Sequence, residues 1–90
     1  MRPIKYPAIA ISDFTERIEQ EIEVNYSGFE EDKKLRYCCN FSQFCQMRNA
    51  RFLVAYGATK AEAIANFAAT ISGRTLYFEN KKVKAPKLKA

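Results

Sequence analysis

From Glu21 to Tyr26 apolar and polar residues alternate without a break. Ile22, Val24 and Tyr26 fall on one side, and Glu21, Glu23 and Asn25 on the other. That period predicts a half-buried strand over residues 20–27. Ser27-Gly28 and the charged run Glu30-Glu31-Asp32-Lys33-Lys34 follow as its connection. From 35 to 47 the alternation returns. Leu35, Tyr37, Cys39, Phe41, Cys45 and Met47 share one parity, interrupted only by Gln43. Thirteen residues is long for one strand, so a bend or bulge is expected near Ser42-Gln43. Arg48-Asn49 is the expected hairpin tip, because Asn tolerates the left-handed conformation. Arg51–Tyr56 is apolar on both parities and reads as a central strand that ends at Gly57.

The period then changes from two to nearly four. Thr59 stands as an N-cap with Glu62 three residues on, a capping-box pattern. Ala61, Ile64, Phe67, Ala68 and Ile71 form one helical stripe, and Gly73 stands where a left-handed residue closes a helix. Thr75–Glu79 is a last short strand. Ahead of all this, Pro3 and Pro7 break regular structure, and Ala8–Ile11 has the composition of an edge strand. Asp13 with Glu16 is a second capping-box pattern, opening a short helix over 14–20. The prediction is an α+β fold of order β-β-β-α-β. A three- to four-stranded antiparallel sheet carries one helix on one face, after a short N-terminal helix. Residues 1–79 form the domain, and residues 80–90 form a basic tail without fixed structure.

Charge sharpens this picture. The chain has 90 residues and a formal net charge of +5. Lys81, Lys82, Lys84, Lys87 and Lys89 crowd the last eleven positions with no acid among them, so the body before them is neutral. Within the body, residues 13–32 hold eight acids against the single base Arg17. Histidine is absent, which removes Ser-His and Cys-His catalysis and imidazole metal sets. Cys38, Cys39 and Cys45 lack zinc-knuckle spacing and read as free thiols packed in or near the core. No glycine-rich phosphate loop and no nucleophile–base pair is visible. The expectation is a non-enzymatic protein with no catalytic residue, no metal and no cofactor. No apolar run reaches the length of a membrane span, and the first residues lack a signal peptide's apolar stretch. With unpaired cysteines, this points to the reducing cytoplasm.

The segment Gly57-Ala58-Thr59-Lys60-Ala61-Glu62-Ala63-Ile64-Ala65-Asn66, continuing to Ile71, resembles the strand-to-helix junction of HicB-like antitoxin domains. There a Gly-x-Thr-x-x-Glu-Ala-x-x-Asn pattern opens the helix that packs on a three-stranded sheet. The likeness covers about fifteen residues and the order of elements. This chain departs from the family at Gln46–Ala50, and it continues into lysines where members carry a DNA-binding region. The resemblance implies a small domain that inhibits or sequesters a protein partner. Domains of this size also recur among accessory proteins of phages and mobile elements.

Two docking surfaces follow. Glu19, Glu21 and Glu23 on the outward parity of the first strand, continued by Glu30, Glu31 and Asp32, offer a basic protein partner a complementary face. Charges on an edge strand also keep sheets from pairing, so the same row has a purely protective explanation. The alternative is a nucleic-acid surface made of Arg36, Arg48 and Arg51 near one hairpin together with Lys81, Lys82, Lys84, Lys87 and Lys89. Tyr37, Phe41 and Tyr56 would then be stacking groups. Open sheet edges also offer a route to a homodimer.

Overall fold

A computed structural model describes residues 8–28, 31–43, 45–47 and 53–90. The expected helix-on-sheet core is present. Strands β2 (Ile22–Tyr26) and β3 (Tyr37–Phe41) follow a two-residue strand β1 (Ile9–Ala10) and helix α1 (Ile11–Ile18). A single 3-10 turn, Lys33–Leu35, leads into β3, so Leu35 precedes the strand instead of opening it. β4 (Cys45–Met47), β5 (Val54–Gly57) and helix α2 (Lys60–Ile71) come next. The first sheet is antiparallel in the order β2-β3-β5. Val24 stands opposite Cys39, and Cys39 opposite Ala55. Directly paired residues share a face, and α2 covers the face that carries Cys39, Phe41 and Ala55. Phe67 and Ile71 are fully buried there, with Ile64 half-buried beside them. The Phe41 and Phe67 rings meet edge to face at 5.2 Å, a geometry favoured by the ring quadrupoles.

The start of α2 shows what the Gly57–Asn66 segment does locally. Thr59 Oγ1 accepts from the Glu62 backbone N–H at 3.1 Å, one of the donors a helix start leaves free. A Cβ on Gly57 would lie 2.4 Å from the Ala63 nitrogen, so only glycine lets the end of β5 approach the helix so closely. Asn66 Nδ2 donates to the Tyr56 carbonyl at 2.7 Å and ties the second turn of the helix back to the strand. That close approach also rotates the buried stripe. Ala63 is buried and Ala61 is exposed, the reverse of the expected phase at that turn.

The long strand expected over 35–47 is broken at Ser42-Gln43, as its length suggested, and its halves serve different sheets. β3 stays in the first. β4 pairs with β6 (Thr75–Phe78), which pairs in turn with β7 (Lys82–Lys84). The last predicted strand is therefore the centre of a second antiparallel sheet, not the fourth strand of the first. Leu76 and Phe78 face the core, and Phe78 meets Phe41 edge to face at 5.1 Å.

Residues 80–90 correct the expectation of an unstructured tail. β7 is followed by β8 (Leu88–Lys89), which runs parallel to β1 with Ile9 opposite Leu88. Ala85 and Leu88 are buried. The Leu88 N–H donates to Ser72 Oγ at 2.8 Å, and the Ala85 N–H donates to the Arg74 carbonyl at 2.8 Å. Val83, Ala85 and Leu88 anchor the segment while the lysines between them stay at the surface.

Helix α1 also differs from its forecast. It begins at Ile11, and its N-cap, Ala10, makes no side-chain cap bond, so Asp13 and Glu16 form no capping box. Asp13 lies inside the first turn, where a carboxylate complements the helix dipole. Ile11, Phe14, Thr15 and Ile18 give the helix its buried stripe. The expected hairpin tip Arg48-Asn49 lies outside the described residues.

Candidate functional site

The acidic segment of the chain builds a corner between α1 and β2. The helix ends at Glu19, whose φ of 58° and ψ of 39° are left-handed. That conformation costs an L-residue about 1–2 kcal/mol and is usually given to Gly or Asn. The chain then reverses through Gln20, whose N–H donates to the Thr15 carbonyl at 3.0 Å, and enters β2. Beside this turn is an open depression of about 620 Å³, with Ser12, Glu16, Glu19, Gln20 and Glu21 in its wall. Ser12 and Glu16 are four residues apart and so stand on one side of α1, and Glu19 follows at its C-cap.

The electrostatics of the corner are one-sided. The carbonyl end of a helix carries partial negative charge, and three carboxylates add to it. Lys81 Nζ donates to the Ile18 carbonyl and answers the helix end. Among the described residues no ion pair engages Glu16, Glu19 or Glu21. Gln20 is only 6% exposed, and its Oε1 is buried without a hydrogen-bond partner. An unmet buried acceptor costs about 1–3 kcal/mol. Among the described residues no three His, Cys, Asp or Glu side chains converge as a metal-binding group.

The structure divides the six acids that the sequence grouped together. Glu19 and Glu21 flank the depression, and Glu16, absent from the sequence-based set, joins them. Glu23 is exposed midway along β2, opposite Asn40. Glu31 and Asp32 follow the turn at the far end of β2, so the acidic row is not continuous. Asp32 accepts from the Lys34 N–H at 3.0 Å and caps the 3-10 turn, a structural task. Glu30 lies outside the described residues. The spacing of Glu16 from Glu19 and the polarity of Gln20 were visible in the sequence; the burial of Gln20 was not.

The nucleic-acid set also separates. Arg48 and Arg51 lie outside the described residues. Arg36 is half-buried at the end of the 3-10 turn, its carbonyl accepting from the Ser27 N–H. Phe41 is buried and Tyr37 half-buried, edge to face with Tyr26 at 5.9 Å. Neither is an open stacking surface, because both point to the covered side of the first sheet. Tyr56 is half-buried on the other side. Lys81 is tied to α1, whereas Lys82, Lys84, Lys87 and Lys89 are exposed. Sequence reasoning passed over Tyr77, an exposed aromatic on β6 whose outward parity was readable from Leu76 and Phe78 on either side.

Two of the cysteines, Cys39 and Cys45, are buried and offer no ready nucleophile. Burial pushes the Cys39 thiol up to about 11, helped by Cys38, and burial likewise raises Cys45 to about 11. Both stay protonated at neutral pH, whereas reactive cysteines are thiolates. No helix of the described structure is long and apolar enough to cross a membrane. No protein-family model matches the chain, and no curated protein or solved structure is significantly similar to it.

Proposed function

We propose that the chain is a small non-enzymatic protein-binding module, an inhibitor or antitoxin-like sequestering protein of the cytoplasm, encoded by a phage or mobile element. It receives a basic segment of its partner at the α1–β2 corner. The observation that carries this reading is the set of three carboxylates, Glu16, Glu19 and Glu21, which line one open depression and engage in no ion pair among the described residues. An arriving guanidinium or ammonium supplies countercharge and N–H donors to these carboxylates. The left-handed Glu19 agrees: a strained carboxylate occupies a position where glycine would be the more stable choice. The sequestering role rests on the antitoxin-like segment. A catalytic reading gains no support from protonated, buried thiols.

The test is affinity capture from native lysate, read by mass spectrometry, with three baits. Glu16→Lys combined with Glu21→Lys reverses the corner, and Glu31→Lys reverses a charge at the far end of β2. Proteins held by the wild type and by Glu31→Lys but lost from the corner variant are the expected outcome. Equal capture by all three baits discards the corner as the docking site.

A further inference from the structure

The second sheet carries an independent surface of opposite sign. In its ladders Gln46 stands opposite Tyr77, and Tyr77 opposite Lys82. Directly opposed residues share a face, so an amide, a phenol ring and an ammonium form one row across three strands. Thr75 and Lys84 form the next row on the same face. Side chains alternate between faces along a strand, and the other face of β6 is buried through Leu76 and Phe78. Tyr77 is 40% exposed although it lies on the central strand. Lys82 and Lys84 are exposed, and among the described residues no ion pair engages either. Glu79 is exposed at the β6–β7 turn that ends this face.

We infer that this face binds single-stranded nucleic acid, with Tyr77 as the stacking platform for a base and Lys82 and Lys84 as phosphate contacts. An exposed ring bordered by cations is the combination single strands use: every base has a flat face to stack, and every nucleotide brings a phosphate. Gln46 adds an amide that can donate to or accept from a base edge. A duplex does not satisfy the ring, because its base faces are covered by neighbouring pairs. The lysines alone are a weak site. The fold becomes one by turning the C-terminal segment back along β6, which sets Lys82 beside Tyr77.

The experiment is fluorescence anisotropy of labelled oligothymidylate, oligouridylate and an oligothymidylate–oligodeoxyadenylate duplex over a salt series, on the full chain. The single strands are expected to bind more tightly than the duplex, and their ranking tells DNA from RNA as the preferred strand. Tyr77→Thr, which keeps strand propensity but removes the ring, is expected to weaken single-strand binding about 5- to 150-fold, and Tyr77→Phe to retain it. Lys82→Gln and Lys84→Gln are each expected to reduce the salt slope by about 0.7. Circular dichroism checks that the variants fold. Ultraviolet cross-linking of the unaltered chain to oligothymidylate, mapped by mass spectrometry, is expected to mark the peptide containing Tyr77. A duplex bound as tightly as the single strands, wild-type affinity in folded Tyr77→Thr, a cross-link elsewhere, or no binding at low salt would each overturn the site.

Discussion

Phe41 and Phe78 meet edge to face at 5.1 Å, and through this contact the two antiparallel sheets share one core. Phe41 belongs to β3 and Phe78 to β6, and Phe41 also meets Phe67 of α2. One ring of β3 therefore touches two other elements, α2 and β6. Phe41→Ala is expected to cost about 3–5 kcal/mol in urea denaturation, and Phe41→Leu less than half of that. A loss below ~1 kcal/mol for the alanine variant would deny the ring its joining role.

The β5–α2 junction makes a prediction about rank. Thr59→Ala removes a cap acceptor and should cost about 1 kcal/mol. Gly57→Ala places a methyl 2.4 Å from the Ala63 nitrogen, so the helix must shift. Its loss should exceed that of Thr59→Ala, at about 2–3 kcal/mol, as for other overpacked sites. Paired denaturation curves check the order, and the reverse order would refute the close approach.

Glu19→Gly separates stability from binding. Glycine relieves the left-handed strain but loosens the unfolded chain, leaving a net gain of about 0.5–1 kcal/mol. The melting temperature should rise by about 2–8 °C. Partner capture should fall at the same time, because one carboxylate of the corner is gone. A variant that is both less stable and equally competent in capture contradicts both halves.

Leu88→Ala tests the C-terminal segment. Leu88 is 6% exposed, and its loss should cost about 2–4 kcal/mol, the range for buried leucines. A peripheral tail would lose nothing measurable. The same packing means that truncation after Glu79 removes β7 and β8 along with the lysines. Point substitutions are therefore the cleaner probe of charge.

Alkaline pH should destabilise the protein through Cys39 and Cys45. Their thiols ionise at about 11 in the fold, against an ordinary 9.0. The unfolded chain thus releases these protons first, and stability falls as pH rises through the interval from 9 to 11. From pH 8 to pH 10 the loss should be on the order of 2–3 kcal/mol for the two thiols together. Lysines and tyrosines also titrate in that range, so the comparison is with Cys39→Ala/Cys45→Ala, whose decline should be shallower. Equal slopes would place both thiols in a solvated setting.

What was legible in the sequence was local. The alternation through Ile22–Tyr26 and Tyr37–Phe41, and the spacing of Ile64, Phe67 and Ile71, each report one element's buried side, and the structure agrees except at the end of β2, where Tyr26 is exposed. Partner choice between strands was not legible. Nothing along Thr75–Phe78 says that it pairs with Cys45–Met47 and not with the first sheet, because that pairing joins distant positions. The five lysines hid Val83, Ala85 and Leu88, whose burial depends on Arg74, Ser72 and Ile9 arriving from elsewhere. Half of the candidate corner was readable as a cluster of acids. Its turn was not, since a left-handed Glu19 runs against residue preference, and neither was the unmet amide of Gln20.

The parallel pairing of Ile9 with Leu88 closes nearly the whole chain into a ring. Closing so wide a ring sacrifices more chain freedom than any nearby hairpin does. This seam should therefore form after the rest of the molecule and open before it, a clasp more than a foundation. Its amides would exchange with solvent ahead of those in β3. Tyr77 and Lys82 sit on the β6–β7 ladder, which the seam does not include, so their row should outlast the clasp when it springs open.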